Sequence, residues 1–164
     1  MVVLTRQKWF PKPFTLDVGG TTLTTARALP VLVIAGATPI DLLEFERVKL
    51  YDAKRNGDNS KEARRRIKAE TLQEWQDRWT SGETGRWTAR LIPDINVWLS
   101  RKHGKTDFFL TQYLTGHGQF NDYLFRMRLH DKPTCKYCLD KIDDAEHTFF
   151  ECARWKDYRS SAER

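Results

Sequence analysis

Cys135-Lys136-Tyr137-Cys138-Leu139-Asp140-Lys141-Ile142-Asp143-Asp144-Ala145-Glu146-His147-Thr148-Phe149-Phe150-Glu151-Cys152 is the stretch on which the reading of this chain turns. It holds all three cysteines of the sequence and one of its four histidines. Three thiolates and one imidazole make up a Cys₃His set, which suits a closed, four-coordinate structural Zn²⁺. The close pair, Cys135 and Cys138, grips from a tight turn. His147 and Cys152 return from a wider loop on what reads as a helical turn. A disulfide would leave an odd thiol, whereas zinc uses every cysteine. Reduced, unliganded thiols in a small core are the plain alternative, and ligand type, count and spacing together favour the metal.

The rest of the composition fits a modest core. Over 164 residues the chain is 40% hydrophobic and 30% charged, so burial leans on its six Trp, five Tyr and nine Phe. One aromatic side chain can bury about 150–250 Å². The formal charge of +6 and a pI near 9.3 favour a polyanionic partner. The most apolar run, Val31 to Ala37, falls far short of the ~20 residues a membrane span needs, so no membrane partner is expected. Met1 to Leu16 carries Arg6, Lys8, Pro11, Lys12 and Pro13 in place of an apolar core, so no secretory leader is expected there. Thiols placed as ligands then point to a reducing compartment, nucleus or cytoplasm.

Upstream of the cysteines the chain reads mainly α. Residues 1–29 are the exception. Pro11 and Pro13 bar a helix, Phe14, Leu16 and Val18 alternate with polar residues, and Gly19-Gly20 precedes a β-branched run. That pattern predicts a hairpin over Phe14 to Thr24. From Val31 the texture changes, and Thr38-Pro39-Ile40-Asp41 predicts a helix capped by the Thr38 hydroxyl. Asn56 to Ser60 interrupts it. A second helix is predicted from about Lys61 to Trp79, with Ala63, Ile67, Thr71, Trp75 and Trp79 on one face. Pro93-Asp94 opens a short helix, Thr106 or Asp107 caps another, and Phe120 to Leu129 forms a last one before Pro133.

Charge is concentrated in the middle of the chain. Between Lys61 and Lys105 eleven Lys or Arg stand against six Asp or Glu, a net +5. A run of like charge is usually a solvated face. Here nearly the whole net charge sits in one segment. That nominates Arg64, Arg65, Arg66 and Lys68, and Arg86, Arg90, Arg101, Lys102 and Lys105, as nucleic-acid contacts. Between Cys135 and Cys152 the balance is −3, so the metal loop itself is a poor phosphate grip. Tyr137 and Trp155 are candidates to stack on bases, although core packing is the expected role for Trp155. His103, His117 and His130 read as capping or packing histidines.

Several of these stretches together resemble a family. Ile34-Ala35-Gly36-Ala37-Thr38-Pro39-Ile40-Asp41, Gly85-Arg86-Trp87-Thr88 with Leu91-Ile92-Pro93-Asp94, and Leu114-Thr115-Gly116-His117-Gly118-Gln119-Phe120 come in that order. Glu146-His147-Thr148-Phe149 and Glu151-Cys152-Ala153-Arg154-Trp155 follow. The series is similar to the C-terminal part of non-LTR (LINE-like) retrotransposon reverse transcriptases, over roughly residues 31–158. Val2-Val3-Leu4-Thr5 and Trp9-Phe10-Pro11-Lys12-Pro13-Phe14 resemble an earlier place in it, the strands after the polymerase palm. In the family a thumb segment lies between these places, so the resemblance implies an internal deletion near Ala28-Leu29 and a truncated end at Arg164.

The expected organisation is a hairpin remnant of the palm/thumb junction (1–29), a helical thumb-like remnant (30–60) and a basic, Trp-rich helical linker (61–131). A Cys-Cys-His-Cys zinc knuckle (132–158) and a tail (159–164) complete it. The parent family is implied to be an RNA-directed DNA polymerase, whose Asp-Asp pair holds catalytic metal after an aromatic and a small residue. Asp143-Asp144, the one adjacent pair here, follows Lys141-Ile142 inside the metal loop and reads as solvated. No catalytic residue and no small-molecule substrate are therefore expected. The resemblance implies a fragment that holds template RNA or target DNA. A structural or protein-interaction zinc module, or a non-functional remnant of a transposable element, is the alternative. A zinc enzyme is disfavoured, because four ligands leave no open position.

Overall fold

The computed structural model describes residues 15–18, 21–102 and 106–163, with side chains from residue 29 onward. The chain forms two compact units, residues 1–103 and 104–164. Helical residues of the expected 61–131 segment contribute to both.

The first unit begins with β1 (Thr15–Val18) and β2 (Thr21–Thr24), whose backbones pair antiparallel with Thr15 opposite Thr24. An N-terminal β-module over residues 1–29 is not supported. The pairing covers four residues a side, and the chain is already helical at Thr25. Val2 to Phe14 lies outside the described residues. Helix α1 (Thr25–Ala35) includes Ala28-Leu29, where the resemblance implies a deletion, and carries Pro30 within it. Its apolar end supplies Val33 and Ile34 to the core.

Helices α2 (Ile40–Arg55) and α3 (Lys61–Ser81) form the frame of the unit. Lys49 meets Glu70 at 2.8 Å, and Asp41 pairs with Arg78, so the two helices run antiparallel. The expected Thr38 cap is not made. Pro39 occupies the N-cap position with no side-chain bond, and its carbonyl accepts from the Leu43 N–H at 3.1 Å. With Pro39 at the N-cap, Thr38 stands one residue outside the position from which a side chain caps the first turn. Ser60 does cap α3, accepting from the Ala63 N–H at 3.1 Å.

The buried residues of α3 are Ala63, Ile67, Thr71, Trp75 and Trp79, the four-residue row that the periodicity picks out. Trp79 donates through Nε1 to the Ile92 carbonyl at 2.8 Å. Gln76 donates to the Pro93 carbonyl at 3.0 Å and accepts from the Ile95 N–H at 2.8 Å. These bonds hold α4 (Arg86–Leu91) and α5 (Ile95–Ser100) against α3, burying Thr88, Ala89, Ile92 and Ile95. Asp94 caps α5 through the Val97 N–H at 3.0 Å.

In the second unit Asp107 caps α6 (Phe108–Thr115), accepting from the Leu110 N–H at 2.7 Å. Gly116, at φ 67°, ends it in the left-handed conformation that a side chain would strain. Helix α7 (Asn121–Arg126) is shorter than the expected Phe120 to Leu129. Phe120 is its N-cap, and Arg128 leaves the helix at φ 59°. The metal loop follows, and α8 (Lys156–Ala162) closes the described chain. Among the described residues no helix is long and apolar enough to cross a membrane.

Candidate metal centre and basic helix

The loop from Pro133 to Cys152 is assembled from short polar contacts. Thr134 and Ile142 form an isolated antiparallel bridge. Within it the Cys135 N–H donates to the Lys141 carbonyl and the Lys141 N–H to the Cys138 carbonyl, both at 2.8 Å. These two bonds close a tight knuckle that points Cys135 and Cys138 the same way. The Tyr137 N–H faces the Cys135 sulfur at 3.4 Å, where it would steady a thiolate.

The other half of the site is a π-turn, His147–Glu151, in place of the expected helical turn. The Cys152 N–H reaches back five residues to the His147 carbonyl at 2.7 Å. In an α-helix at 3.6 residues per turn, side chains five apart point in different directions. One extra residue in the turn brings His147 and Cys152 onto the same side, the use to which single π-turns are often put.

Asp143 and Asp144 hold this turn, which corrects their reading as a solvated pair. Asp143 Oδ1 accepts from the Thr148 hydroxyl at 2.8 Å, and Oδ2 accepts from the Asn121 N–H at 3.1 Å. Asp144 Oδ1 accepts from the His147 N–H at 2.8 Å, acting as a cap. Asn121 adds a bond from Nδ2 to the Thr134 carbonyl at 3.0 Å. On the far side Tyr113 packs edge-on against Phe149, with ring centroids 4.4 Å apart. Spacing alone could not reveal the aspartates' role, because their partners lie up to twenty-two residues away.

The result is a convergent ligand set. The three sulfurs and a His147 ring nitrogen all lie within 4.8 Å of one another. Cys152 Sγ is 3.8 Å from Cys135 Sγ and 4.0 Å from Cys138 Sγ. A tetrahedral zinc with Zn–S bonds of about 2.3 Å separates its sulfurs by about 3.8 Å, so the spacing fits that ion. All three thiols are free, and the separations are far from the ~2.05 Å of a disulfide.

His147 is buried, and neither of its ring nitrogens has a hydrogen-bond partner. A buried imidazole with both nitrogens orphaned is costly unless a ligand takes one of them. Glu151 Oε2 stands 3.7 Å from Nδ1, beyond hydrogen-bond reach but on the side where a carboxylate orients a metal-bound histidine. Burial pushes the Cys152 thiol above its ordinary range, a penalty that a bound cation removes by taking the thiolate.

The basic candidates are not gathered at one place. Arg64, Arg65, Arg66 and Lys68 are exposed on the first half of α3, off the row that buries Ala63 and Ile67. Arg64 donates to Asn59 Oδ1 at 2.7 Å, and Arg66 lies 3.8 Å from Asp58. Arg86 is at the other end of this 21-residue helix, about 20 Å away along its axis at ~1.5 Å per residue. There it donates to the carbonyls of Gly82 at 2.7 Å, Trp79 at 3.2 Å and Thr80 at 3.4 Å, capping the C-terminus of α3. Arg90 lies 5.7 Å from the Trp87 ring, and Arg101 stacks 3.4 Å over Trp98. Lys102 is exposed, and Lys105 lies outside the described residues. Beside Arg64 and Lys68 the structure adds Lys54 and Tyr51, which share with them a cleft of about 380 Å³ between α2 and α3. Lys54 could have been suspected from the basic last turn of α2.

Comparison with known proteins gives this arrangement a context. A retrovirus-related Pol polyprotein from type-1 retrotransposable element R1 4 of Nasonia vitripennis is 30% identical over 141 residues, 77% of this chain and 36% of that protein. Another, from element R1 2 of the same organism, is 28% identical over 143 residues, 78% of this chain and 35% of that protein. The chain is a relative of R1 retrotransposable-element Pol polyproteins. A putative 115 kDa protein in type-1 retrotransposable element R1DM of Drosophila melanogaster is 30% identical over 151 residues, 82% of this chain and 15% of that protein. The chain thus spans about a third or less of the length of these R1 relatives. No family model and no solved structure matches it.

Proposed function

We propose that the chain is a nucleic-acid-binding segment of a retrotransposon Pol protein, with a zinc-folded knuckle and a basic helix that holds template RNA or target DNA. The observation that carries this reading is the exposed cationic run Arg64, Arg65, Arg66 and Lys68 on the solvent side of α3, with Lys54 across the cleft. Such a surface meets phosphates without reading sequence, because base readout needs contacts to base edges. Arg65 and Lys68 present their charge freely to solvent, whereas Arg86 is committed to three carbonyls and serves the fold first. The relatives support the class of partner by being Pol polyproteins. The Cys₃His cluster supports zinc through its spacing and the orphaned imidazole.

Zinc bound by Cys135, Cys138, His147 and Cys152 would have all four positions filled, so its part is to fold the loop. The test is fluorescence anisotropy of the zinc-loaded chain with labelled oligonucleotides over a salt series. Binding that neutralises several phosphates weakens steeply with salt, and reversing Arg64, Arg65 and Arg66 to Glu is expected to flatten that slope. Absence of binding at low salt would sink the reading. It would favour a protein-interaction module, for which Phe108 and Phe109, both exposed on α6, are the surface to examine.

A further inference from the structure

The second unit keeps many of its aromatic side chains outside. Trp155, expected to pack in a core, is exposed beside Tyr158. A larger group lies on α6 and the π-turn. Phe108 and Phe109 meet edge to face, with ring centroids 5.5 Å apart. Tyr113 stands one helical turn after Phe109, on the same side of α6. Its ring reaches the π-turn, 4.4 Å from Phe149 and 6.4 Å from Phe150. Phe108 is 69% exposed, Phe109 76%, Phe149 43% and Phe150 55%. At about 200 Å² for a whole aromatic side chain, these four hold about 500 Å² of ring surface in water. The largest apolar patch of a typical monomer is about 300–600 Å², and patches of that size are often functional.

The face also carries no charge. Helix α6, Phe108–Thr115, contains no Asp, Glu, Lys or Arg, in a chain where 30% of residues are charged. Thr148, Phe149 and Phe150 add none. A partner of unlike sequence can be matched to a surface charge against charge. Across a twofold axis, residues near the axis meet their own copies, so a charge there meets its own sign. An uncharged face suits that second situation. It suits this chain in particular, because two copies with a formal +6 each repel wherever their charged surfaces approach.

The area agrees. Two such faces together remove about 1,000 Å² of apolar surface from water, about what a specific interface needs in all. Thr111, exposed one turn from Phe108, adds a polar rim. We infer that this face joins two copies of the chain, α6 against α6 about a twofold axis, with Phe109 as its most exposed anchor. The inference stands apart from the nucleic-acid reading and uses none of the basic residues nominated for it.

The experiment is sedimentation equilibrium of the zinc-loaded full chain, stripped of nucleic acid, over a concentration series. The weight-average mass should rise from 19.3 kDa and level at twice that value. An interface at the small end of the specific range dissociates readily, so the midpoint is expected at micromolar concentration. Raising salt should strengthen the association by screening like charge, the opposite of its effect on phosphate binding. Phe109→Glu should raise the dissociation constant at least tenfold, because it removes an anchor and sets a carboxylate in the contact. Val97→Ser, at an exposed apolar site on α5, should leave it unchanged. Both positions face solvent, and circular dichroism with zinc content establishes that each variant is folded. A chain that stays at 19.3 kDa at every concentration overturns the inference and leaves the face to a different protein. Unchanged self-association in folded Phe109→Glu overturns it as well. A mass that climbs past two copies refutes the twofold arrangement, since only a head-to-tail contact continues to grow. Oligonucleotide binding enters none of these measurements, so the two readings fail separately.

Discussion

Removing the metal should unfold one unit of this chain and spare the other. Among the described residues of the second unit, Leu114 and Phe120 are the large apolar side chains fully buried; Ala145, Cys135, Cys152 and His147 make up most of the rest. Two such side chains contribute about 3–6 kcal/mol in all. Zinc ligation in comparable small domains contributes about 10–16 kcal/mol. With zinc bound as proposed, ligation therefore outweighs apolar burial in folding this unit, while the first unit keeps Trp75, Trp79, Ile95, Val33 and Leu42. Helices α6, α7 and α8 hold 8, 6 and 7 residues, and α1 to α5 hold 11, 16, 21, 6 and 6. Chelation, or Cys138→Ser, should thus lower the far-ultraviolet helical signal by about a quarter. The five tryptophans before residue 103 should keep their emission, and limited proteolysis should leave residues 25–100 intact. Full helicity after chelation, with metal shown to be absent, would refute the argument. Loss of nearly all helix would refute its other half, the independence of the first core.

Three further substitutions probe separate contacts. Trp79→Ala should cost about 3–5 kcal/mol in the first unit by urea unfolding, since it empties a fully buried site and strands the Ile92 carbonyl. Gly85→Ala should destabilise the same unit by more than ~1 kcal/mol in thermal melts, because Gly85 sits at φ 68° and an added Cβ would lie 2.2 Å from Pro30 Cγ. Glu151→Gln should weaken zinc about tenfold in competition with a chromophoric chelator by removing the carboxylate beside His147 Nδ1, and an unchanged affinity would show that 3.7 Å is too far to matter.

The surviving readings share a cause. Ala63, Ile67, Thr71, Trp75 and Trp79 were legible because a buried helix face repeats along the chain, and the clustering of Cys135, Cys138, His147 and Cys152 was legible because a metal site restricts residue type and spacing. Local signals that compete are harder to read. Thr38 reads as a cap, yet Pro39 takes the N-cap position and leaves that hydroxyl one residue outside it. Asp143 and Asp144 look like solvated charge until Asn121, Thr148 and His147 are brought to them.

By itself the sequence determined the helical class, the row of indoles on α3, the Cys₃His set and the resemblance to retrotransposon proteins. All of these rest on residues close in the chain or on strict chemical type. Tertiary structure alone decided that His147 and Cys152 meet through a π-turn and that Arg86 closes the end of α3. It also set Tyr137 and Arg154 side by side on the face of the knuckle. Those are through-space distances, fixed by hydrogen bonds between segments that no linear period connects.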